Sequence, residues 1–124
     1  MVEFVILMPA LFLVLFATFE VSRLWLTVSV VSEAAREGVR TAALTSPFST
    51  TPPAIIGSVL AAANLSASTA PSVTCSGGCA AGSGDPVTVT VNVHFETPIP
   101  LLLPLFGGST GLTVSQTAQM RYEP

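Results

Sequence analysis

Residues 4–19 of this chain carry no charge and are almost wholly apolar, and that run limits every fold the sequence can adopt. At about 1.5 Å per residue these sixteen residues form roughly 24 Å of helix, a little less than the roughly 30 Å hydrocarbon core of a bilayer. Apolar character resumes at Leu24-Trp25-Leu26 and runs on to Val31, so a transmembrane helix is the expectation. A cleaved signal peptide fits poorly. Met1-Val2-Glu3 precedes the run in place of basic residues, no small-residue cleavage site closes it, and the helical pattern continues beyond it. Glu20 and Arg23, three apart on one helical face, are spaced to pair near the outer interface. Trp25 suits an interfacial anchor and a packing contact equally.

The periodicity extends past the membrane. Leu24, Val28, Val31, Ala35, Val39 and Ala42 follow steps of three and four and make one apolar stripe. Glu33 with Arg36 and Glu37 with Arg40 occupy the other side, spaced for weak ion pairs on a solvated face. Pro47 and the following Ser-Thr-Thr-Pro-Pro run end the helix, which at roughly 42 residues measures about 63 Å. Pro9 removes a backbone donor, so the carbonyl of Val5 loses its usual partner and a break or local loosening is expected there. Packed neighbouring helices relieve an unmet carbonyl better than lipid does.

Composition narrows the function. Only 9% of the 124 residues are charged, against about 25% in an ordinary soluble domain. The net charge is −3, there is no lysine, and all positive charge sits on Arg23, Arg36, Arg40 and Arg121. That balance argues against nucleic acid, which demands clustered basic residues. Cys75 and Cys79 stand in Cys-Ser-Gly-Gly-Cys. Zinc needs about four ligands and only His94 could help, while a redox pair more often has two intervening residues. A short disulfide in an oxidising compartment is the better reading. The arginines near the helix nevertheless all follow the apolar run, whereas basic residues favour the cytoplasmic side. A basic leader ahead of Met1 would reconcile the two.

The remainder, residues 46–124, reads as a small extracytoplasmic α+β domain beside the helix of residues 1–45. Thr51 is placed to cap a short helix with Pro52 at its first position, running to about Asn64. Residues 65–85, rich in Ser, Ala, Gly and Thr, read as loop around the cysteines. Asn64-Leu65-Ser66 matches a glycosylation sequon, a pattern common by chance. Two strands stand out: Val87, Val89, Val91, Val93 and Phe95 alternate with polar residues, and so do Leu112, Val114, Gln116, Ala118, Met120 and Tyr122. Period-two alternation means one covered and one wet face, and the upper helix is the obvious cover. The expected fold is therefore a long N-terminal helix packed on a small antiparallel β-sheet, with a short second helix. Pro98-Ile99-Pro100-Leu101-Leu102-Leu103-Pro104-Leu105-Phe106 is too apolar for an ordinary loop and too short to span a bilayer. It packs under the sheet, docks on a neighbour or dips into lipid.

Several segments resemble one family. Val2-Glu3-Phe4 followed by Leu7-Met8-Pro9 resembles the start of TadE-like pilins of bacterial tight-adherence (Tad) pili. Phe19-Glu20-Val21-Ser22-Arg23-Leu24 and Ala34-Ala35-Arg36-Glu37-Gly38-Val39-Arg40 are similar to that family's later helix motifs, and Phe95-Glu96-Thr97-Pro98 through the leucine run, with Leu112 to Tyr122, to its C-terminal hairpin. The resemblance implies a type IV pilin-like subunit that waits in the inner membrane with its C-terminal domain outside the cytoplasm, then joins an extracellular filament. It implies other pilin subunits, a prepilin peptidase and the pilus assembly machinery as partners, and a role in adhesion. The family's functional glutamate lies fifth in the mature chain. The match here is Glu3, which implies a mature start two residues earlier or a departure from the pattern. An acid beside an apolar helix is costly in lipid unless paired. A neighbouring subunit's α-amine would pair with Glu3, and a headgroup-facing position is the plain alternative. Glu3, Phe4, Pro9 and Leu13 are thus the candidate assembly residues.

Other functions have less behind them. His94 sits on an alternating strand with Glu96 two positions on, and two such groups do not make a nucleophile, base and oxyanion site. Gly77-Gly78 and Gly107-Gly108 are turn signals rather than phosphate cradles. No enzyme activity, cofactor or metal is expected. The competing reading is a single-pass membrane anchor that holds a periplasmic interaction module and does not polymerise.

Overall fold

The computed structural model describes residues 2–80, 83–96 and 111–124. The apolar run 98–106 and the Gly107-Gly108 pair lie outside the described residues. Helix α1 (Val2–Leu44) comes first and contains Pro9 without interruption. The expected break at Pro9 is therefore not an end to the helix, because proline deletes one rung of a ladder that holds on either side of it. At 43 residues α1 is about 65 Å long. Its final carbonyls, which have no partner within the helix, are met from elsewhere. The Glu123 N–H donates to the Ala43 carbonyl at 3.3 Å, and the Tyr122 hydroxyl donates to the Thr45 carbonyl at 3.0 Å.

Helix α2 (Ala54–Ala62) starts later than the Thr51 cap predicts. Pro53 is the N-cap residue, extended at ψ 136, with no side-chain cap. The reason is steric: a residue before proline avoids the helical region, so Pro52 cannot open a helix that Pro53 follows. The Thr51 N–H turns instead to Ser49 Oγ at 3.1 Å. The helix also stops before Asn64, which takes a left-handed conformation at φ 57. Leu65 N–H then reaches the Leu60 carbonyl and Asn64 N–H the Ala61 carbonyl, each at 2.9 Å. That pair of bonds is the Schellman arrangement, and asparagine tolerates the positive φ it needs.

Strands β1 (Ser72–Cys75), β2 (Pro86–Glu96) and β3 (Gly111–Arg121) form one antiparallel sheet in the order β1-β2-β3. The β2–β3 register is unbroken from Pro86↔Arg121 to Glu96↔Gly111. β1, inside the stretch expected to be loop, pairs from Ser72↔Thr90 to Cys75↔Val87. Four residues with one inward apolar side chain, Val73, give too short an alternation to recognise.

The alternation reads correctly in space. Val87, Val89, Val91, Val93 and Phe95 of β2 are buried beneath Val31, Ala34, Ala35, Val39 and Ala42 of α1 and Ile56 and Leu60 of α2. β3 is covered less well. Val114 is buried, as is Tyr122 just beyond the strand, but Leu112 and Met120 are exposed because β3 is an edge of the sheet. The small residues of α1 let the layers approach. A Cβ on Gly38 would lie 2.7 Å from both Cγ1 and Cδ1 of Ile56, so glycine is what brings α2 against α1. The architecture is α+β: one long helix and one short helix on a three-stranded antiparallel sheet.

Candidate functional site

Packing divides α1 into two unlike halves. Beyond Leu26 its stripe lies against the sheet; before that point large apolar side chains stand uncovered by the described residues. Phe4, Leu7, Leu11, Leu13, Phe16 and Phe19 are each about half to two-thirds exposed. Exposed apolar surface on this scale marks an interaction site. Glu3 and Pro9 are exposed as well. The four candidate assembly residues thus share one uncovered segment but not one face: at 3.6 residues per turn, Phe4 and Leu13 are half a turn apart. The surface is apolar all round, as lipid or encircling helices require. The hydroxyls along it are satisfied internally, Thr18 Oγ1 donating to the Val14 carbonyl at 2.8 Å and Ser22 Oγ to the Thr18 carbonyl at 2.9 Å. The helix from Glu3 onward is long and apolar enough to cross a membrane.

The ionic groups at the division behave unequally. Arg23 Nη1 lies 3.4 Å from Glu20 Oε1, and the guanidinium sits 5.5 Å from the centre of the Phe95 ring. That places a cation over an aromatic face and ties the middle of α1 to the end of β2. Glu20 is only 3% exposed, and its Oε2 has no hydrogen-bond partner among the described residues. Spacing predicts the pair but not this burial. Arg40 Nη1 and Glu37 Oε2 are 3.7 Å apart on the surface, where such a pair contributes under about 1 kcal/mol. Glu33 and Arg36, spaced identically, form no ion pair; both are exposed and water competes for each.

The cysteines are joined: Cys75, the last residue of β1, is disulfide-bonded to Cys79. The closed loop turns through Gly78 at φ 89 and Cys79 at φ 47. Asp85 organises it, its Oδ2 accepting the Cys79 N–H at 3.2 Å while its carboxylate packs where a Cβ on Gly77 would stand. Nothing in the sequence spacing singles out Asp85.

A mixed cleft of about 550 Å³ opens where α1 leaves its apolar half. Arg23, Leu26 and Thr27 line it from α1, Asn64 and Ser66 from the turn after α2, and His94 and Glu96 from β2. Both β2 residues are on the wet side of the sheet, as their alternation predicts. Among the described residues no three of His, Cys, Asp and Glu gather closely enough to hold a metal ion.

The family described as TadE-like protein matches residues 1–40. The matched segment spans the uncovered apolar half, the Glu20–Arg23 step and the Ala34-Ala35-Arg36-Glu37-Gly38-Val39-Arg40 motif, and it ends before the sheet. TadE-like proteins are a structural, pilus-related family and not an enzyme family. No curated protein and no solved structure matches the chain.

Proposed function

We propose that this chain, TadE-like over residues 1–40, is a pilin-like structural subunit of a Tad or type IV-like surface filament. The observation that carries the reading is the division of α1. Its second half is consumed by the subunit's own core, while residues 4–19 of its first half are left uncovered by the described residues and are apolar around almost the whole circumference. Such a helix needs lipid or other helices about it, and a filament core supplies the second after a membrane has supplied the first. The subunit waits in the inner membrane with residues 46–124 outside the cytoplasm, and the Cys75–Cys79 disulfide suits that compartment. A prepilin peptidase and the pilus assembly machinery then deliver it to an extracellular filament that supports adhesion.

Electron microscopy of sheared surface material tests the reading. Cells making the wild-type chain are expected to yield filaments containing it, and cells making Leu13→Asp to yield none. Absence of filaments from wild-type preparations in which the chain remains in the membrane would instead favour a single-pass anchor holding a periplasmic interaction module.

A further inference from the structure

The back of α1, turned away from the sheet, is one unbroken exposed stripe. Leu15, Ser22, Leu26, Ser29, Glu33 and Arg36 are all exposed and follow one another at steps of seven, four, three, four and three. Glu33 lies two positions from the buried Val31 and Ala35, and Arg36 two positions from the buried Ala34 and Gly38. Two residues of helix turn through about 200°, so both charged side chains face away from the core. The stripe is apolar or hydroxyl-bearing from Leu15 to Ser29, and charge enters it at Glu33.

Glu37 and Arg40 are paired within the chain at 3.7 Å, whereas Glu33 and Arg36 form no ion pair among the described residues. Copies that enter one membrane the same way hold their α1 helices parallel, and a filament core that gathers their apolar halves continues upward along this stripe. In parallel helices set level, Glu33 would face Glu33 and Arg36 would face Arg36, and both contacts repel. A displacement of three residues, about 4.5 Å, puts Arg36 of one copy level with Glu33 of the next, and Arg40 level with Glu37. A displacement of four residues sets acid against acid and arginine against arginine once more. The order Glu33, Arg36, Glu37, Arg40 therefore favours one stagger over its neighbours. We propose that the back of α1 beyond Ser29 is an interface between copies of this chain, in which Glu33 of one copy pairs with Arg36 of the next and fixes their axial displacement. The pair deepens the filament reading and rests on it. Adjoining helices exclude water from such a pair, so its charges discriminate more strongly there than on a lone helix.

Charge reversal in the full-length chain provides the test, read as the amount of chain in sheared filaments. Glu33→Arg and Arg36→Glu should each lower that amount at least about tenfold, while the chain stays in the membrane with a protease-resistant domain. The double variant carrying both reversals should recover it. A pair closed within one copy would also be restored by the double variant, so the decisive arm is co-production of the two single variants in one cell. Each chain then supplies the charge that the other lacks, and filaments containing both should return. Where a reversal costs the domain its protease resistance, the neutral Glu33→Gln and Arg36→Gln take its place, each with a smaller loss. Undiminished filaments from folded single variants, or failure of co-production to restore them, overturns the proposal while wild-type filaments leave the filament reading standing. Wild-type cells that hold the chain in the membrane and make no filaments remove that reading itself, and the interface with it.

Discussion

Glu3 and Gly38 show how much single residues contribute at opposite ends of α1. Glu3 is an exposed acid at the mouth of an uncharged run, where ionisation in lipid is costly without a partner. If a neighbouring subunit's α-amine supplies that partner, Glu3→Ala should abolish filaments while the chain still fractionates with the membrane; normal filament yield from the alanine variant would remove the pairing. At Gly38 two effects oppose each other. Alanine gains about 1 kcal/mol of helix propensity over glycine, but its Cβ would stand 2.7 Å from the Ile56 side chain. Ile56 is fully enclosed, so it has little space to yield, and overpacking costs about 1–3 kcal/mol. Gly38→Ala is therefore expected to lower the melting temperature of the domain, and Gly38→Val to lower it further. A rise on Gly38→Ala would mean that α2 moves aside freely.

Among the elements, α1 has two jobs that substitution can separate. Val39→Asp puts an unpaired charge into the core shared with β2 and should cost at least about 4 kcal/mol, enough to unfold a small domain. Leu13→Asp touches nothing in that core and should spare the domain's fold while blocking insertion or assembly. Limited proteolysis of the two variants checks this, and a Val39→Asp chain as resistant as wild type would contradict the packing of α1 on the sheet. These elements were legible because their periods are long: a 3.6-residue stripe running from Leu24 to Ala42 in α1, and eleven positions of alternation in each of β2 and β3. β1 was not, since four residues carry too little period. The start of α2 was misplaced because a Thr-Pro-Pro run looks like a capped helix until the clash between successive prolines is considered. At the candidate site, the uncovered apolar half and the Glu20–Arg23 spacing could be read directly. The burial of Glu20, the seat of Arg23 over Phe95 and the Asp85 support of the disulfide loop could not, because each depends on residues distant in sequence.

For the whole molecule, the covalent link adds less than the packing. The Cys75–Cys79 loop is so short that chain entropy gives about 2 kcal/mol, so reduction should leave the domain folded with a modestly lower melting temperature. Intact-mass measurement with alkylation before and after reduction checks the bond, and two free thiols in protein isolated without reductant would contradict it. The residue just past α1 is held differently, by the Tyr122 hydroxyl on the carbonyl of Thr45, 77 positions earlier. At ribosomal rates of about 5–20 residues per second, that separation is roughly 4–15 s of synthesis. Throughout that interval the inward face of Val39 and Ala42 exists without β3 or Tyr122 to close over it. A foreign strand, or the helix of an adjacent copy, can compete for the same face while it waits. The apolar half of α1, made first, is complete before the residues that close over its other half are synthesised.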